Sequence, residues 1–303
     1  MITADSSRAP FKSGYVAIAG APNAGKSTLL NRILGQKISI VSIKPQTTRN
    51  RILGVCHRPG AQILFYDTPG IFEAKDALNL RIVDAALHAV GDTDLVLAVV
   101  DAAHRNPKAE TYLAEQLKTQ KRPVILALNK IDRIEDKASL LEIIAYWSAC
   151  RTFEAVVPIS ALDGDQVDTL MDAIIRVLPE GPPYFAEDAL TDATERFLAA
   201  ELIREKIFQL TGEEIPYASA VTVESFTSRP DGKQATIEAT IHLERDSQKG
   251  IVIGRGGAML KRIGVEARQD IEQMTGSKVF LKLFVRVQKN WRKDAKAIER
   301  FGY

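Results

Sequence analysis

The sequence lacks the features that would mark a membrane or exported protein. No apolar run in its 303 residues is long enough to cross a bilayer. The stretch from Met1 to Lys12 is polar and lacks the apolar core of a secretory signal. With 46% hydrophobic and 26% charged residues, the composition is typical of globular proteins. We therefore expect a cytoplasmic protein of two domains with no transmembrane segment.

Cysteine and histidine are scarce as well. Cys56 and Cys150 lie far apart, each among apolar residues, which favours reduced buried thiols over a disulfide or a metal site. The 4 histidines show no ligand spacing, so we expect no zinc site. We interpret these residues as structural or surface positions.

The chain as a whole carries almost no net charge, but its two parts carry net charges of opposite sign. The net charge is only +2. Residues 1–232 contain 25 basic and 30 acidic side chains, whereas residues 233–303 contain 15 and 8. A basic final quarter favours a polyanion partner for the C-terminal part, although an ordinary solvated basic face is the alternative.

The most informative stretch that is present is Gly20-Ala21-Pro22-Asn23-Ala24-Gly25-Lys26-Ser27. An apolar run at 15–19 predicts a buried strand before it, and residues 28–34 predict a helix after it. Strand, loop and helix form a phosphate-binding loop, in which backbone N–H groups and the helix N-terminus face the anion. Lys26 adds a positive charge, and the hydroxyl of Ser27 suits a magnesium ion.

Alternating strands and helices predict the fold of the first 178 residues. Further strands are expected at 51–56, 62–66, 95–100, 124–128 and 155–159, and helices at 80–90, 109–117, 137–147 and 165–178. This order predicts an α/β domain with a mostly parallel sheet covered on both faces. Two polar motifs directly follow strands, at the edge where such sheets bind ligands: Asp67-Thr68-Pro69-Gly70 and Asn129-Lys130-Ile131-Asp132.

The two motifs suit different parts of a nucleotide. Asp67 can hold the hydration shell of magnesium, and Gly70 lets the backbone approach a γ-phosphate. The carboxylate of Asp132 can accept two hydrogen bonds from guanine that adenine cannot supply. Asn129 is the candidate for the other base edge, and the stem of Lys130 can cover the ring. Each tetrapeptide alone is a weak signal, whereas several motifs in order at strand ends are a strong one.

Five ordered motifs, GAPNAGKS, the threonines of PQTTR, DTPG, NKID and SAL, resemble those of the translation-factor-like GTPases. Asn23 and DTPG narrow the resemblance to the group that includes Era, Der and the tRNA-modification GTPases. The resemblance implies that Thr48, or alternatively Thr47, closes over magnesium and the γ-phosphate. It also implies guanine contacts from the SAL motif and, as in some members, a potassium ion held with the help of Asn23.

One position departs from the better-known GTPases. Ile71 stands where they carry a glutamine that orients water. Because an isoleucine cannot orient water, we predict slow unaided hydrolysis and assign no general base. A slow but competent site suits a switch better than a metabolic enzyme.

A proline-rich stretch separates the two predicted domains. Residues 179–183 cannot continue a helix, so we place a linker at 179–190. The expected divisions are a flexible N-terminus at 1–11, a GTPase domain at 12–178 and a second domain at 191–303. In the second domain we predict a helix at 192–210 capped by Asp192, strands around 221–223, 235–243 and 279–287, a helix at 258–274 and a basic helix at 291–300.

A GxxG turn lies between two predicted helices of the second domain. Such a turn aims backbone N–H groups outward, and KH domains use it to clamp single-stranded RNA, whereas a packed glycine turn is the alternative. The order αββααβ and the segment IVIGRGGAMLKRIGVEARQDIE resemble the bacterial-type KH fold, an α+β fold. With Trp291 and the closing Phe301-Gly302-Tyr303, nearly the whole chain is similar to the Era family.

The resemblance implies a GTP-hydrolysing switch that uses GTP or GDP with Mg²⁺ and binds the single-stranded 3′ end of 16S ribosomal RNA in assembly of the 30S subunit. Two alternatives stay open: an RNA-binding protein with a structural guanine-nucleotide pocket, and a signalling GTPase at the membrane surface. Members of the group are found loosely at the inner membrane, which a basic face permits, and we expect a monomer.

The candidate residues fall into four sets. The phosphate set contains Gly20, Ala21, Pro22, Asn23, Ala24, Gly25, Lys26, Ser27, Thr28, Thr48, Asp67, Thr68, Pro69, Gly70 and Ile71. The guanine set contains Asn129, Lys130, Ile131, Asp132, Ser160, Ala161 and Leu162. The metal ligands are Ser27, Thr48 and Asp67. The RNA set contains Gly254, Arg255, Gly256, Gly257, Lys261 and Arg262.

Overall fold

The structure is a computed structural model that describes residues 10–42, 44, 47–70, 78–82, 91 and 93–303. The chain forms two compact units. The first contains the described residues within Met1–Gln36, Arg51–Glu73 and Ala85–Asp192, and the second those within Lys37–Asn50, Ala74–Asp84 and Ala193–Tyr303. Two short segments of the N-terminal half therefore group with the C-terminal domain.

A six-stranded sheet forms the centre of the first unit. Its strands are β1 (Lys12–Ala19), β2 (Ile52–Arg58), β3 (Ala61–Asp67), β4 (Leu95–Asp101), β5 (Val124–Asn129) and β6 (Ala155–Pro158). They lie in the order β2-β3-β1-β4-β5-β6, with β2 antiparallel to β3 and the other pairs parallel. The central strands β4 and β5 are almost wholly buried, because their residues are apolar on both faces. The predicted mostly parallel α/β fold is confirmed.

The helices of this unit follow the predicted order. They are α1 (Lys26–Leu34), α2 (Pro107–Lys118), α3 (Ser139–Cys150) and α4 (Val167–Val177). Helix α1 ends as predicted at Gly35, which adopts the left-handed conformation with φ 67°. The helix predicted at 80–90 is helical at 80–82, within a helical stretch that begins at residue 78, and 83–90 lie outside the described residues. Cys56 is buried, but Cys150 is partly exposed, so burial of both thiols was wrong.

The residues predicted to form a linker belong to the first unit. The Gln62 side chain accepts hydrogen bonds from the backbone N–H groups of Tyr184 and Phe185, at 2.6 and 3.0 Å. The Ser13 hydroxyl donates to the Pro182 carbonyl at 2.7 Å, and Val55 N donates to the Leu190 carbonyl at 2.8 Å. The segment is thus held along its length by β1, β2 and β3.

A three-stranded sheet covered by helices forms the second unit. Its elements are α5 (Glu195–Leu210), α6 (Ile215–Ala218), β7 (Ala220–Ser228), β8 (Gln234–Leu243), α7 (Asp246–Ile253), α8 (Ala258–Thr275), β9 (Lys278–Val287) and α9 (Ala295–Arg300). Strand β8 is central, antiparallel to β7 and parallel to β9. The predicted αββααβ order of a KH domain is confirmed, with the short α6 as an addition.

Two helix starts differ from the prediction. Helix α5 is capped by Thr194, whose side chain accepts from Phe197 N at 3.3 Å, and not by Asp192. The terminal helix begins only at Ala295, because Asp294 caps it after a separate 3-10 turn at Trp291–Lys293. Within the described part of the chain, no helix is both long enough and apolar enough to span a bilayer.

Candidate functional site

The phosphate-binding loop is folded around its own lysine. Lys26, the first residue of α1, is buried and donates to the carbonyls of Gly20 at 3.0 Å and Ala21 at 2.9 Å. Burial lowers the pKa of Lys26 to about 8, against the opposing effect of Asp67. The Ser27 hydroxyl donates to Oδ2 of Asp67 at 2.7 Å, so the end of β3 and the start of α1 meet. The loop therefore presents a cation beside a hydroxyl–carboxylate pair.

Close backbone approach explains the glycines of this loop. A Cβ on Gly25 would lie 2.2 Å from Nδ2 of Asn129, and Gly25 has φ 96°. A Cβ on Gly20 would lie 2.3 Å from the Val99 carbonyl oxygen. Any side chain at these positions would push apart the strand ends on which the loop is built.

Asn129, at the end of β5, connects three of the predicted motifs. Its side chain is 2% exposed and donates to the Ala24 carbonyl at 2.7 Å. Its Oδ1 accepts from Ala161 N at 2.9 Å. The phosphate loop, the NKID motif and the SAL motif are therefore joined through one amide. The Ser160 hydroxyl adds a second link, because it donates to Oδ1 of Asp132 at 2.8 Å.

Two residues that support the guanine corner, which is formed by Asn129, Asp132, Ser160 and Ala161, were missed from the sequence. Asp101, at the end of β4, accepts from Nζ of Lys130 at 2.6 Å and so fixes the lysine stem. Arg32 in α1 donates to the carbonyls of Ala161 and Leu162. Asp101 follows a buried strand at the same sheet edge, so its position was a usable signal. Nothing in the spacing of Arg32 indicates its role.

The segment 37–50, which carries the candidate magnesium ligand Thr48, belongs to the second unit. Thr48 and Thr47 are both buried, and the Thr47 hydroxyl donates to the Lys44 carbonyl at 2.7 Å. Arg204 of α5 donates to the Thr47 carbonyl at 2.6 Å. The alternative between Thr47 and Thr48 stays open. Ile71 lies outside the described residues.

Arg49 anchors the end of this segment. It is 4% exposed, and its Nη1 donates to the Ser219 carbonyl at 2.8 Å. Its Nη2 donates to the carbonyls of Pro216 at 3.1 Å and Tyr217 at 2.9 Å. Its guanidinium also lies 5.3 Å from the ring centroid of Tyr303. One buried cation thereby satisfies three carbonyls around α6.

Glu205 on helix α5 holds the other end of the segment. It is buried, accepts from Val41 N at 2.9 Å and pairs with Lys37. Lys37 and Lys206 both pair with Asp270 of α8, at 2.8 and 2.7 Å. Burial alone would raise the pKa of Asp270, but these two ammonium groups hold it below its usual range. Residues 201–208 of α5 are all buried, so this part of the helix is covered on every side.

The GxxG turn has the geometry expected of a backbone clamp. Gly254, Gly256 and Gly257 have φ of 72°, 58° and 80°, and helix α8 begins directly after them. A Cβ on Gly254 would lie 2.8 Å from Cβ of Met259. Arg255 and Lys261 are exposed beside the turn. Arg262 is also exposed and pairs with Glu266 at 2.8 Å, so it is partly neutralised.

Comparison with known proteins finds family models that match both parts of the chain and relatives that match nearly all of it. The family model of the 50S ribosome-binding GTPases matches residues 15–130, and that of the KH domain matches residues 214–292. GTPase Era of Geobacter metallireducens is 53% identical over 97% of this chain and 98% of its own length. GTPase Era of Geotalea uraniireducens is 53% identical with the same coverage.

Solved structures give the same result. A crystal structure of Era in complex with MgGDPNP and nucleotides 1506–1542 of 16S ribosomal RNA has a TM-score of 0.92 at 42% identity, covering 97% of this chain and 99% of that chain. A variant of Aquifex aeolicus Era bound to GDP.AlF4- matches with the same TM-score, identity and coverage. The fold and the site define a GTPase with a phosphate-binding loop, joined to a KH domain. The chain belongs to the Era family.

Proposed function

We propose that this GTPase acts as a nucleotide-dependent switch on RNA, binding the single-stranded 3′ end of small-subunit ribosomal RNA during assembly of that subunit. The observation that carries the nucleotide half is the Asn129 amide, which joins the phosphate loop to the guanine motifs through Ala24 and Ala161. The RNA half is supported by the GxxG turn and by the similarity to the Era complex with 16S ribosomal RNA.

The residues present suit a magnesium nucleotide. The hydroxyl of Ser27 lies 2.7 Å from the carboxylate of Asp67, and both are the hard oxygen ligands that magnesium prefers. We assign these two residues, with Thr48, to the metal, and Lys26 to the phosphates. The metal, when bound, would neutralise charge on the phosphates. We assign Asp132 to the guanine edge, and Asn23, which has φ 63°, to a potassium ion.

Hydrolysis at this site should be slow without a partner. No described side chain is assigned as a base, and the position after Gly70 carries Ile71. The chain's own contribution is then to bind and orient the phosphates and to exclude the wrong base. Slow hydrolysis gives the GTP-bound state the lifetime that a switch needs.

The contacts of segment 37–50 suggest how the nucleotide reaches the RNA-binding domain. Arg49 and Arg204 bind this segment to the C-terminal domain, through the carbonyls of Ser219 and Thr47 among others. If Thr48 serves as a magnesium ligand in the GTP state, the same short segment is used by both domains. Nucleotide and RNA binding would then be coupled, with equal effect in both directions.

Crosslinking to RNA in cell extract, with and without GTP, followed by sequencing of the bound fragments, tests the proposal. We expect fragments from the 3′ end of small-subunit ribosomal RNA, enriched when GTP is present. Fragments from unrelated RNAs in equal amounts would contradict it. The control is Gly256→Asp, which places a carboxylate in the clamp and should reduce the crosslinks without affecting GTP binding.

Two finer points belong to the same proposal. The protein is expected to work as a monomer, which sedimentation at several concentrations would check. Loose contact with the inner membrane would be a property of the basic C-terminal domain. Pelleting with anionic vesicles in the absence of RNA would detect it, and a protein that stays in the supernatant would exclude this property under those conditions.

A further inference from the structure

Strand β9 carries an alternation that the proposed site does not use. Every second residue points away from the helices, and these residues are Lys278, Phe280, Lys282, Phe284 and Arg286. The residues between them, including Leu281 and Leu283, pack in the core with α7 and α8. The outward face of β9, defined by those five residues, therefore alternates cations with aromatic rings, on the side of the sheet opposite the helices that flank the GxxG turn.

The two rings on this face are open to solvent. Phe280 is 52% exposed and Phe284 is 48% exposed. The neighbouring end of the sheet is covered, because His242 packs against Phe301 after helix α9, with ring centroids 4.3 Å apart. His242 pairs in register with Arg286, and the buried Thr240 pairs with Phe284, so the cover on β8 extends to the level of Phe284, while Phe284 and Arg286 stay exposed.

One of the cations, Lys282, lies within cation–π distance of a ring. Nζ of Lys282 lies 5.7 Å from the ring centroid of Phe280 and 2.9 Å from a carboxylate oxygen of Glu238. Lys278 and Arg286 lie at the two ends of the row, beyond the phenylalanines. A ligand on this face therefore meets a cation before, between and after the two rings.

The spacing suits an unpaired polynucleotide. Successive outward residues of a strand are about 6.6 Å apart, so the rings are about 13 Å apart with a cation midway. Single-stranded nucleic acid alternates flat bases with phosphates, and any base can stack on an aromatic ring. RNA-binding sheets of other folds use exposed aromatics in this way. A purely apolar partner would offer no counter-charge to the cations of the outward face.

We propose that the outward face of β9 is a second RNA-binding surface, which stacks unpaired bases on Phe280 and Phe284 and contacts phosphates through Lys278, Lys282 and Arg286. It rests on the proposed RNA-binding function and adds to it a separate surface for nucleotides beyond those held at the GxxG turn. RNA long enough to leave that turn would thereby be held at two places on one domain.

Two unstructured oligopyrimidine probes separate this surface from the GxxG turn. A short probe of about 4 nucleotides matches the length that a GxxG loop clamps, and a long probe of about 16 nucleotides can extend beyond it. In the full-length protein, Phe280→Ala/Phe284→Ala should weaken binding of the long probe roughly 25-fold, about 5-fold for each ring. The short probe should be unaffected. Leu141→Ala, which removes an apolar side chain that is 69% exposed on α3, is the matched control.

Two further variants distinguish stacking from simple apolar contact. Phe284→Leu keeps an apolar side chain without a ring and should show the loss, whereas Phe284→Trp should keep the affinity. The natural tryptophans, Trp147 and Trp291, are both 0% exposed, so quenching by the long probe would report the new indole. Glu238→Gln should tighten binding about 2-fold, because it frees Lys282 from its carboxylate partner.

Each remaining outcome is decisive. Equal binding of the long probe by the wild type and the double phenylalanine variant overturns the second surface and leaves the proposed function standing. A wild type that binds neither probe contradicts the proposed function itself. If the double variant instead loses binding to phosphatidylglycerol vesicles, or loses a dimer in sedimentation, while RNA binding is unchanged, the face serves a membrane or a second copy and the inference is wrong.

Discussion

The guanine corner and segment 37–50 are both assigned to the same nucleotide, but they are held in different ways. The corner is built within the first unit from the ends of β5 and β6, where Asn129 contacts both Ala24 and Ala161. Segment 37–50 is held within the second unit. Arg49 of the segment donates to the Ser219 carbonyl, and Arg204 of α5 donates to the Thr47 carbonyl. The guanine corner is thus held within its own domain, and segment 37–50 is held within the RNA-binding domain.

This difference suggests separate roles, in which the guanine corner selects the base and segment 37–50 responds to the bound ligands. A corner tied to strand ends has few alternative arrangements, so it can select guanine in every state of the protein. Under the proposed assignment of Thr48, segment 37–50 would serve the nucleotide as well as the C-terminal domain, and its position would respond to both ligands. Changes in the corner should therefore act on nucleotide affinity, whereas changes in the segment should act on the C-terminal domain.

Gly25→Ala should give the largest effect, because it breaks the corner. The new Cβ would lie 2.2 Å from Nδ2 of Asn129, in a backbone conformation with φ 96° that alanine rarely adopts. Strain and lost hydrogen bonds should together lower GDP affinity roughly 300-fold. Isothermal titration calorimetry with GDP measures the change.

Gly35→Ala is the matched control for this prediction. Gly35 lies at the other end of helix α1, also with positive φ, at 67°, but its Cβ would meet nothing within 4 Å. It should cost about 1 kcal/mol of stability and leave GDP affinity unchanged. Equal losses of affinity in both variants would mean that the phosphate loop responds to helix stability and not to contact with Asn129.

Arg49→Ala should disrupt the contacts of segment 37–50 with the rest of the C-terminal domain. It leaves the carbonyls of Pro216, Tyr217 and Ser219 without the guanidinium they accept from. We expect a loss of about 3 kcal/mol in the unfolding free energy of the C-terminal domain, measured by urea denaturation. GDP affinity should change less than about 2-fold, since the corner has its own contacts.

Arg51→Ala is the control at nearly the same place in the chain. Arg51 is exposed, and its guanidinium lies 4.2 Å from the ring centroid of Tyr66 in the first unit. Its removal should cost less than about 1 kcal/mol. If Arg49→Ala were as mild as Arg51→Ala, segment 37–50 would not depend on the C-terminal domain for its position.

The contrast between the guanine corner and segment 37–50 also explains which parts of the site could be predicted from the sequence. The corner and the phosphate loop depend on residues within a few positions of a strand end, so periodicity and motif order locate them. The αββααβ order was accessible for the same reason. The role of Arg49 depends on carbonyls 167 to 170 residues away, and neither spacing nor composition indicates such a contact. Arg32 was missed likewise, because it acts on backbone carbonyls that any residue supplies.

Asp132→Asn should sharpen the role of the corner without disrupting it. The amide presents a donor where guanine needs an acceptor, so GDP affinity should fall about 30-fold. Xanthosine diphosphate carries a carbonyl oxygen where guanine has its exocyclic amine, so it can accept from the new amide and should bind the variant better than GDP does. Competition between the two nucleotides measures the preference, and unchanged GDP affinity would remove Asp132 from the guanine site.

The smallest effect expected is a pH dependence of nucleotide binding that comes from Lys26. Burial lowers the pKa of this lysine to about 8, and nearby phosphates would favour its charged form. Below pH 8 the ammonium is already charged, whereas above it binding must take up a proton. GDP affinity should therefore be flat below pH 8 and fall by up to about 10-fold per pH unit above it. Lys26→Arg, which stays charged, should abolish this slope. A wild type whose affinity is constant from pH 7 to pH 9.5 would mean that Lys26 is charged throughout and that its burial leaves the loop ready for phosphate at any pH.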